Sequence, residues 1–172
     1  PNLTNDDLLT YGLSLRVEGS PPAASSTTFN AAPLTGTTFS PGGIGGNTTN
    51  KHILISDAIP VGTSLNATPV APTGWRVVYS STATSTSANQ AVWTLTAPTS
   101  YPATSVTRVG FIYDPDSNLA TDSPAIAPNT TVTGFSFLVR TTTAFSATGT
   151  TGGQIANIAQ VFGTSNNGTV LV

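Results

Sequence analysis

The chain has 172 residues, a net charge of -2, only 7% charged residues, no Cys and no Met. That balance carries no electrostatic footprint for nucleic acid or an anionic membrane surface, and the lack of Cys excludes a disulfide framework and a thiolate metal site. Ser, Thr, Ala, Gly and Pro separate short apolar runs, which favours strands joined by turns in a single domain, 1–172. No run reaches the roughly 18 to 20 apolar residues that cross a bilayer, so no membrane span is expected. The missing Met places the translation start outside the chain; removal of an N-terminal secretory signal, or of a single Met, is the expected route.

Residues Asp7 to Glu18 alternate with period two, with Leu9, Tyr11, Leu13, Leu15 and Val17 on one face. They predict a strand with one buried face. From Gly19 to Asn50 the pattern dissolves into Ser, Thr, Pro and Gly, with Phe29, Leu34, Phe39 and Ile44 as possible anchors and one short strand near Thr37 to Ser40. A loop excursion over 19–50 is long for a compact domain and points to function or contact with a neighbour.

Ile53 to Leu65, ILISDAIPVGTSL, predicts a strand that stops at Asp57, a corner through Ala58-Ile59-Pro60-Val61-Gly62, and a second strand. Gly74 to Ser80 alternates Trp75, Val77 and Tyr79 inward against Arg76 and Val78, and Ala91 to Thr96 is expected to pair with it as a hairpin joining Trp75 and Trp93 to aliphatic neighbours. Further strands are predicted over Ser105 to Tyr113, Thr130 to Thr141 and Gln154 to Phe162, with a turn at Asn166-Asn167-Gly168 before Thr169 to Val172. The sum is an all-β sandwich of about eight to ten strands.

Four stretches in order resemble one family: Leu9-Thr10-Tyr11 to Val17; Ile53 to Gly62 with its Asp57-Ala58-Ile59-Pro60-Val61-Gly62 ending; Ala127-Pro128-Asn129-Thr130-Thr131-Val132; and Gly152 to Val161 with Asn157-Ile158-Ala159. Together they resemble the bacterial surface-protein conserved repeat, the domain of unknown function numbered eleven. The chain departs from it in the inserted excursion and in Asn129, where Gly is common. The resemblance implies an immunoglobulin-like Greek-key sandwich at the cell surface or outside the cell, used as a stalk, adhesive or structural module.

His52 is the only histidine and the carboxylates are scattered, so a Ser-His-Asp triad is not supported; a strand-edge histidine is the simpler expectation, and no enzymatic role is expected. No phosphate loop qualifies, because Gly42 to Gly46 lacks a following Lys-Thr. Asp114, Asp116, Asn118 and Asp122 offer oxygen at alternating positions, as hard calcium prefers, against the plainer reading of a solvated acidic turn. Leu119 and Ala125 stand where an EF-hand loop needs Gly and a bidentate Glu, which excludes that version. Calcium is the one candidate cofactor.

Lys51, the only lysine, Asp57 and Asn157 form the candidate set for an intramolecular isopeptide bond, with Asp57 as the assisting acid; a solvated Lys51 and an Asn157 amide satisfying backbone is the alternative. Asn2, Asn47, Asn66, Asn129 and Asn167 each begin Asn-x-Ser/Thr, a frequent coincidence in a Thr-rich chain. The expected partner is a second copy of the chain, giving a homo-oligomeric filament or surface layer joined by strand addition or loop packing. Candidate assembly segments are Pro1, Leu3, Leu8 and Leu9 at one end and Val170, Leu171 and Val172 at the other. Alternatives are an adhesin or carbohydrate-binding module contacting glycan through Trp75, Tyr79, Trp93 or Tyr101, and a virus capsid or decoration subunit.

Overall fold

The computed structural model describes residues 3–19, 31–143 and 157–164. Within them the period-two runs become β1 (Leu8–Arg16), β2 (Leu54–Ala58), β3 (Thr63–Leu65), β4 (Trp75–Ser80), β5 (Arg108–Tyr113), β6 (Thr131–Thr141) and β7 (Ala159–Phe162). They form an all-β sandwich of two antiparallel sheets, one ordered β1-β6-β3 and the other β4-β5-β2-β7. Only β4 and β5 are neighbours in both sequence and sheet; every other connection passes from one sheet to the other.

The Ile53 to Leu65 stretch shows why. β2 and β3 belong to different sheets, so the corner between them carries the chain across the sandwich. The Pro60 carbonyl accepts the Thr63 N–H at 3.0 Å and the Thr63 hydroxyl at 2.7 Å. Gly62 has φ +80°, a conformation that a side chain resists.

Between the sheets, Ile53, Ile55, Trp75, Phe111 and Phe135 pack at one end and Leu65, Tyr79, Val109, Phe137 and Val139 at the other. Trp75 meets Phe135 edge-on, with centroids 4.9 Å apart and planes at 86°, a favourable arrangement of ring quadrupoles. β1 follows its predicted alternation, with Leu9, Tyr11 and Leu13 half-buried and Leu15 and Val17 buried.

The stretch expected as a surface excursion is different. Its anchors Phe39 and Ile44 are fully buried, together with Leu54, Val78, Ala88, Ala91, Trp93, Ile112 and Phe162, in a second core on the outer face of the four-stranded sheet. Residues 36–50 and 82–95 form this irregular covering layer. Phe29 lies outside the described residues.

Three further expectations change for the same reason, since a sheet covered on both faces buries both alternating sets of side chains. Val78, expected outward, is fully buried. Ala91 to Thr96 is no strand: it touches β4 through one bridge, Tyr79 to Thr94, and the excursion through another, Ile44 to Trp93. Trp75 and Trp93 therefore sit in separate clusters rather than across a hairpin. The short strand near Thr37 reduces to a bridge between Thr37 and His52.

Arg108 fastens part of the covering layer. Buried at the start of β5, its guanidinium donates to the carbonyls of Thr82, Ala83, Thr84 and Thr86, the closest at 2.6 Å. A lysine has no planar fork to satisfy four carbonyls at once. Arg108→Lys is expected to lower unfolding free energy by about 1–3 kcal/mol, read by urea denaturation; an unchanged midpoint would show that the fork does not hold the loop.

Candidate functional site

Period two along β2 places Asp57 on the same inward face as Ile53 and Ile55, and it is only 1% exposed. Its backbone pairs with Val109 of β5 and Ala159 of β7. A carboxylate there loses most of its hydration, and burial pushes the group up to about 6, against the opposing pull of hydrogen bonds from Asn157 and the Ala58 N–H.

Asn157, half-buried and just ahead of β7, donates Nδ2 to Asp57 Oδ2 at 2.7 Å. The second carboxyl oxygen, Asp57 Oδ1, and the amide oxygen, Asn157 Oδ1, are buried without a hydrogen-bond partner. From the opposite sheet comes Tyr11 of β1, its ring stacked on Phe137 at 4.9 Å. Burial and then the Asp57 charge raise its phenol above the ordinary value. One acid thus sits on β2, is bonded from the approach to β7 and reaches the Tyr11 phenol of β1 through its charge.

Of the three residues expected to form a crosslink, the structure brings together Asp57 and Asn157. Lys51 is exposed at the far end of β2, six positions from Asp57, about 20 Å along extended chain. Its backbone N–H donates to Asp122 Oδ1 at 2.9 Å, and its carbonyl accepts from Ser123 N at 2.8 Å. An intramolecular bond among the three is therefore not formed by this fold.

In the acidic loop, each side chain is committed to local structure. Asp114 pairs with Arg76 at 2.5 Å and accepts the Asn118 N–H at 3.0 Å. Asp116 accepts the Thr121 hydroxyl at 2.8 Å, which holds its carboxyl below the usual range. Asn118 Oδ1 accepts the Ala120 N–H at 3.1 Å. Asp122 accepts Lys51 N and Asn50 Nδ2, and is likewise lowered, chiefly by the first. Among the described residues no group of three His, Cys, Asp or Glu side chains converges as metal ligands would. The spacing serves a turn whose carboxylates cap backbone N–H groups.

His52 is not at an exposed edge. It is buried, bridged to Thr37 by two backbone hydrogen bonds of 2.8 and 2.9 Å, and desolvation lowers its pKa against the field of Asp114. Trp75, Tyr79 and Trp93 are buried in the cores, which leaves Tyr101 as the half-exposed member of the proposed stacking set; its hydroxyl lies 3.1 Å from that of Thr68.

The assembly segments divide. Leu8 and Leu9 open β1, with Leu8 exposed, and Leu3 is half-buried nearby. Pro1, Val170, Leu171 and Val172 lie outside the described residues, as does the turn at Asn166 to Gly168. Leu8 to Arg16 is an edge strand, bonded only to β6 among the described strands.

Fold and site define a β-sandwich domain with a buried acid-amide pair and a long sheet edge, β1, that has no second partner among the described residues. The chain belongs to the family described as a domain of unknown function (DUF7925), whose model matches residues 1–172. No curated protein and no solved structure matches it. That family description names neither an immunoglobulin-like fold nor a surface repeat. Among the described residues no helix is long and apolar enough to cross a membrane.

Proposed function

We propose that this domain is a non-enzymatic structural subunit of an extracellular filament or surface layer, whose copies join by strand addition at β1. The open edge of β1 is the observation that carries this reading. Odd-numbered residues face β6: Thr141 N donates to the Asp7 carbonyl at 2.9 Å and Val17 N to the Thr130 carbonyl at 2.8 Å. Antiparallel alternation then turns the N–H and C=O groups of Leu8, Thr10, Gly12 and Ser14 away from the sheet. Nothing among the described residues pairs with them.

Sandwich proteins commonly guard such an edge with Lys, Pro or a short strand. Here nine residues run from Leu8 to Arg16, without Pro or Lys and with no charge before Arg16. Beside them the half-buried Leu9, Tyr11 and Leu13 offer apolar surface to an incoming strand. An added strand gains main-chain hydrogen bonds along the edge and side-chain contacts on that flank. The four stretches that resemble the surface-protein repeat support placing the assembly outside a bacterial cell and giving the sandwich an immunoglobulin-like kinship.

Gly12→Pro tests this directly. Its N–H faces the open edge, and nothing lies within 4 Å of a Cβ built there, so the change blocks pairing with a neighbour while sparing the ladder to β6. The wild-type chain is expected to form polymers visible by light scattering and electron microscopy, and Gly12→Pro to remain a folded monomer. A wild-type chain that stays monomeric at all concentrations, or a variant that polymerises equally, sinks the reading.

A further inference from the structure

The two orphaned oxygens at the site are chemically complementary only in one protonation state. With Asp57 ionised, Asp57 Oδ1 and Asn157 Oδ1 are both acceptors, buried and without a donor, an arrangement that leaves each one's desolvation uncompensated. A proton on Asp57 supplies the missing donor. The carboxylic acid and the amide can then exchange two hydrogen bonds, acid O–H to amide oxygen and amide N–H to acid oxygen, leaving no acceptor of the pair unpaired.

The position of the pair gives that proton a mechanical consequence. Asn157 sits two residues ahead of β7, a four-residue edge strand held to β2 from Ala159, opposite Asp57, to Phe162. Beyond it, Thr164 pairs with Thr35 through two backbone hydrogen bonds, so the far end of this segment is tied independently of the acid. The near end depends on Asn157. Ile158, between the pair and the strand, is 77% exposed and adds no anchor.

We propose that Asp57 and Asn157 form a proton-operated latch on β7. Protonated, the pair is complete and fastens the start of β7 against β2; ionised, it loses one hydrogen bond and β7 opens more often from its Ala159 end. Opening uncovers the edge of β2, and, resting on the assembly reading above, gives a second place at which a neighbouring copy's strand can add.

The groups facing Asp57 are few. From β1 comes the Tyr11 phenol; from β2 itself, the Ala58 N–H; from the segment before β7, Asn157; the paired positions on β5 and β7, Val109 and Ala159, are apolar. Tyr11 ionises only in the alkaline range and its phenol stays neutral over the latch's window. That leaves Asp57 as the titrating member.

The test is amide hydrogen exchange across β7 in the wild-type chain, at a dilution where scattering shows monomer, with rates corrected for intrinsic pH dependence. Protection of the β7 amides is expected to fall by about tenfold between about pH 5 and about pH 7.5, at every pH from a level below that of the central β5 amides, which report global unfolding. Its midpoint should match that of the Asp57 side-chain carboxyl carbon followed by NMR. Asp57→Asn should abolish the fall. The latch is overturned if β7 protection is flat, if its midpoint departs from that of Asp57, or if Asp57→Asn keeps the dependence. Should that variant not fold, the two wild-type midpoints still decide. Because the measurement is made on monomer, a chain that never polymerises through β1 leaves this result standing, and a failed latch leaves strand addition at β1 untouched.

Discussion

Trp93→Ala is expected to lower the free energy of unfolding by about 3–5 kcal/mol, a large share of the stability of a domain this size. The indole is 1% exposed, donates Nε1 to the Ala88 carbonyl at 2.8 Å, and stands among Phe39, Ile44, Leu54, Val78 and Ile112. Its backbone joins both irregular segments, donating to the Gly43 carbonyl at 3.0 Å and accepting from Gly45 N at 2.8 Å. Removing the ring leaves a cavity between loops and sheet that neither can collapse to fill.

The expected pattern is local as well as global: hydrogen exchange should rise most in 36–50 and 82–95, while β1 and β6, packed in the other core, lose protection only through the lowered global stability. Gly110 supplies an internal check. A Cβ built there would lie 2.9 Å from Trp93 Cζ3, 2.9 Å from Val78 Cγ2 and 2.8 Å from Leu54 Cδ1, so Gly110→Ala alone is expected to cost about 1–3 kcal/mol through overpacking. In the Trp93→Ala background the same change has room on one side and should cost less. Urea denaturation of the two single variants and the double variant measures that coupling; additive costs would mean that Trp93 is not what fills the space above Gly110.

That second core was the part of the fold least legible in the sequence. β1 announces itself because its side chains alternate about a regular backbone, β5 and β6 through their runs of Val, Phe, Ile and Thr, and the corner ending at Gly62 because its residues forbid a continued ladder. Phe39 and Ile44 bury themselves from irregular backbone among Gly, Pro and Ser, where no period marks them. Val78 pointed the other way from Trp75 and Tyr79, and only the presence of a covering layer decides that this second face is also dry.

The site was half legible. Period two already aligns Asp57 with Ile53 and Ile55, so a carboxyl on an inward face could be read from β2 alone. Its partner could not: Asn157 lies 100 residues away in sequence, and only sheet pairing brings them together. Lys51 shares the strand but sits too far along it. In the acidic loop, composition resembled an oxygen-rich metal site because turn-capping carboxylates and metal-ligating ones share the same spacing; which N–H and hydroxyl groups consume their lone pairs is decided by backbone conformation.

The pH dependence of stability is where Asp57 should be felt by the whole molecule. In the unfolded chain it ionises near its ordinary 3.8, whereas burial raises it to about 6 in the fold. Between those values the native state holds a proton that the unfolded state has lost, so stability falls as pH rises. Below the lower value both states are protonated and the contribution is fully present; above the higher value both are ionised and the loss is complete. Two units of separation correspond to about 2–3 kcal/mol. Asp116 and Asp122, lowered by their hydrogen bonds, act in the opposite sense only as pH falls through the more acidic range; His52, lowered by desolvation, acts in the opposite sense inside the window, its contribution rising with pH, so the Asp57 effect is read as a difference between wild type and Asp57→Asn. Relative to Asp57→Asn, the wild-type chain is therefore expected to lose about 2 kcal/mol between about pH 4.5 and about pH 7.5, measured by urea denaturation at each pH. Asp57→Asn, nearly isosteric and never charged, should lack that loss and keep only the rise that His52 contributes. Tyr11→Phe, which keeps the stack on Phe137, should retain the wild-type slope. Wild-type and Asp57→Asn curves that run parallel over the window would show that the fold accommodates the ionised carboxylate without penalty, and the unpaired oxygens of Asp57 and Asn157 would then have to be satisfied in some other way.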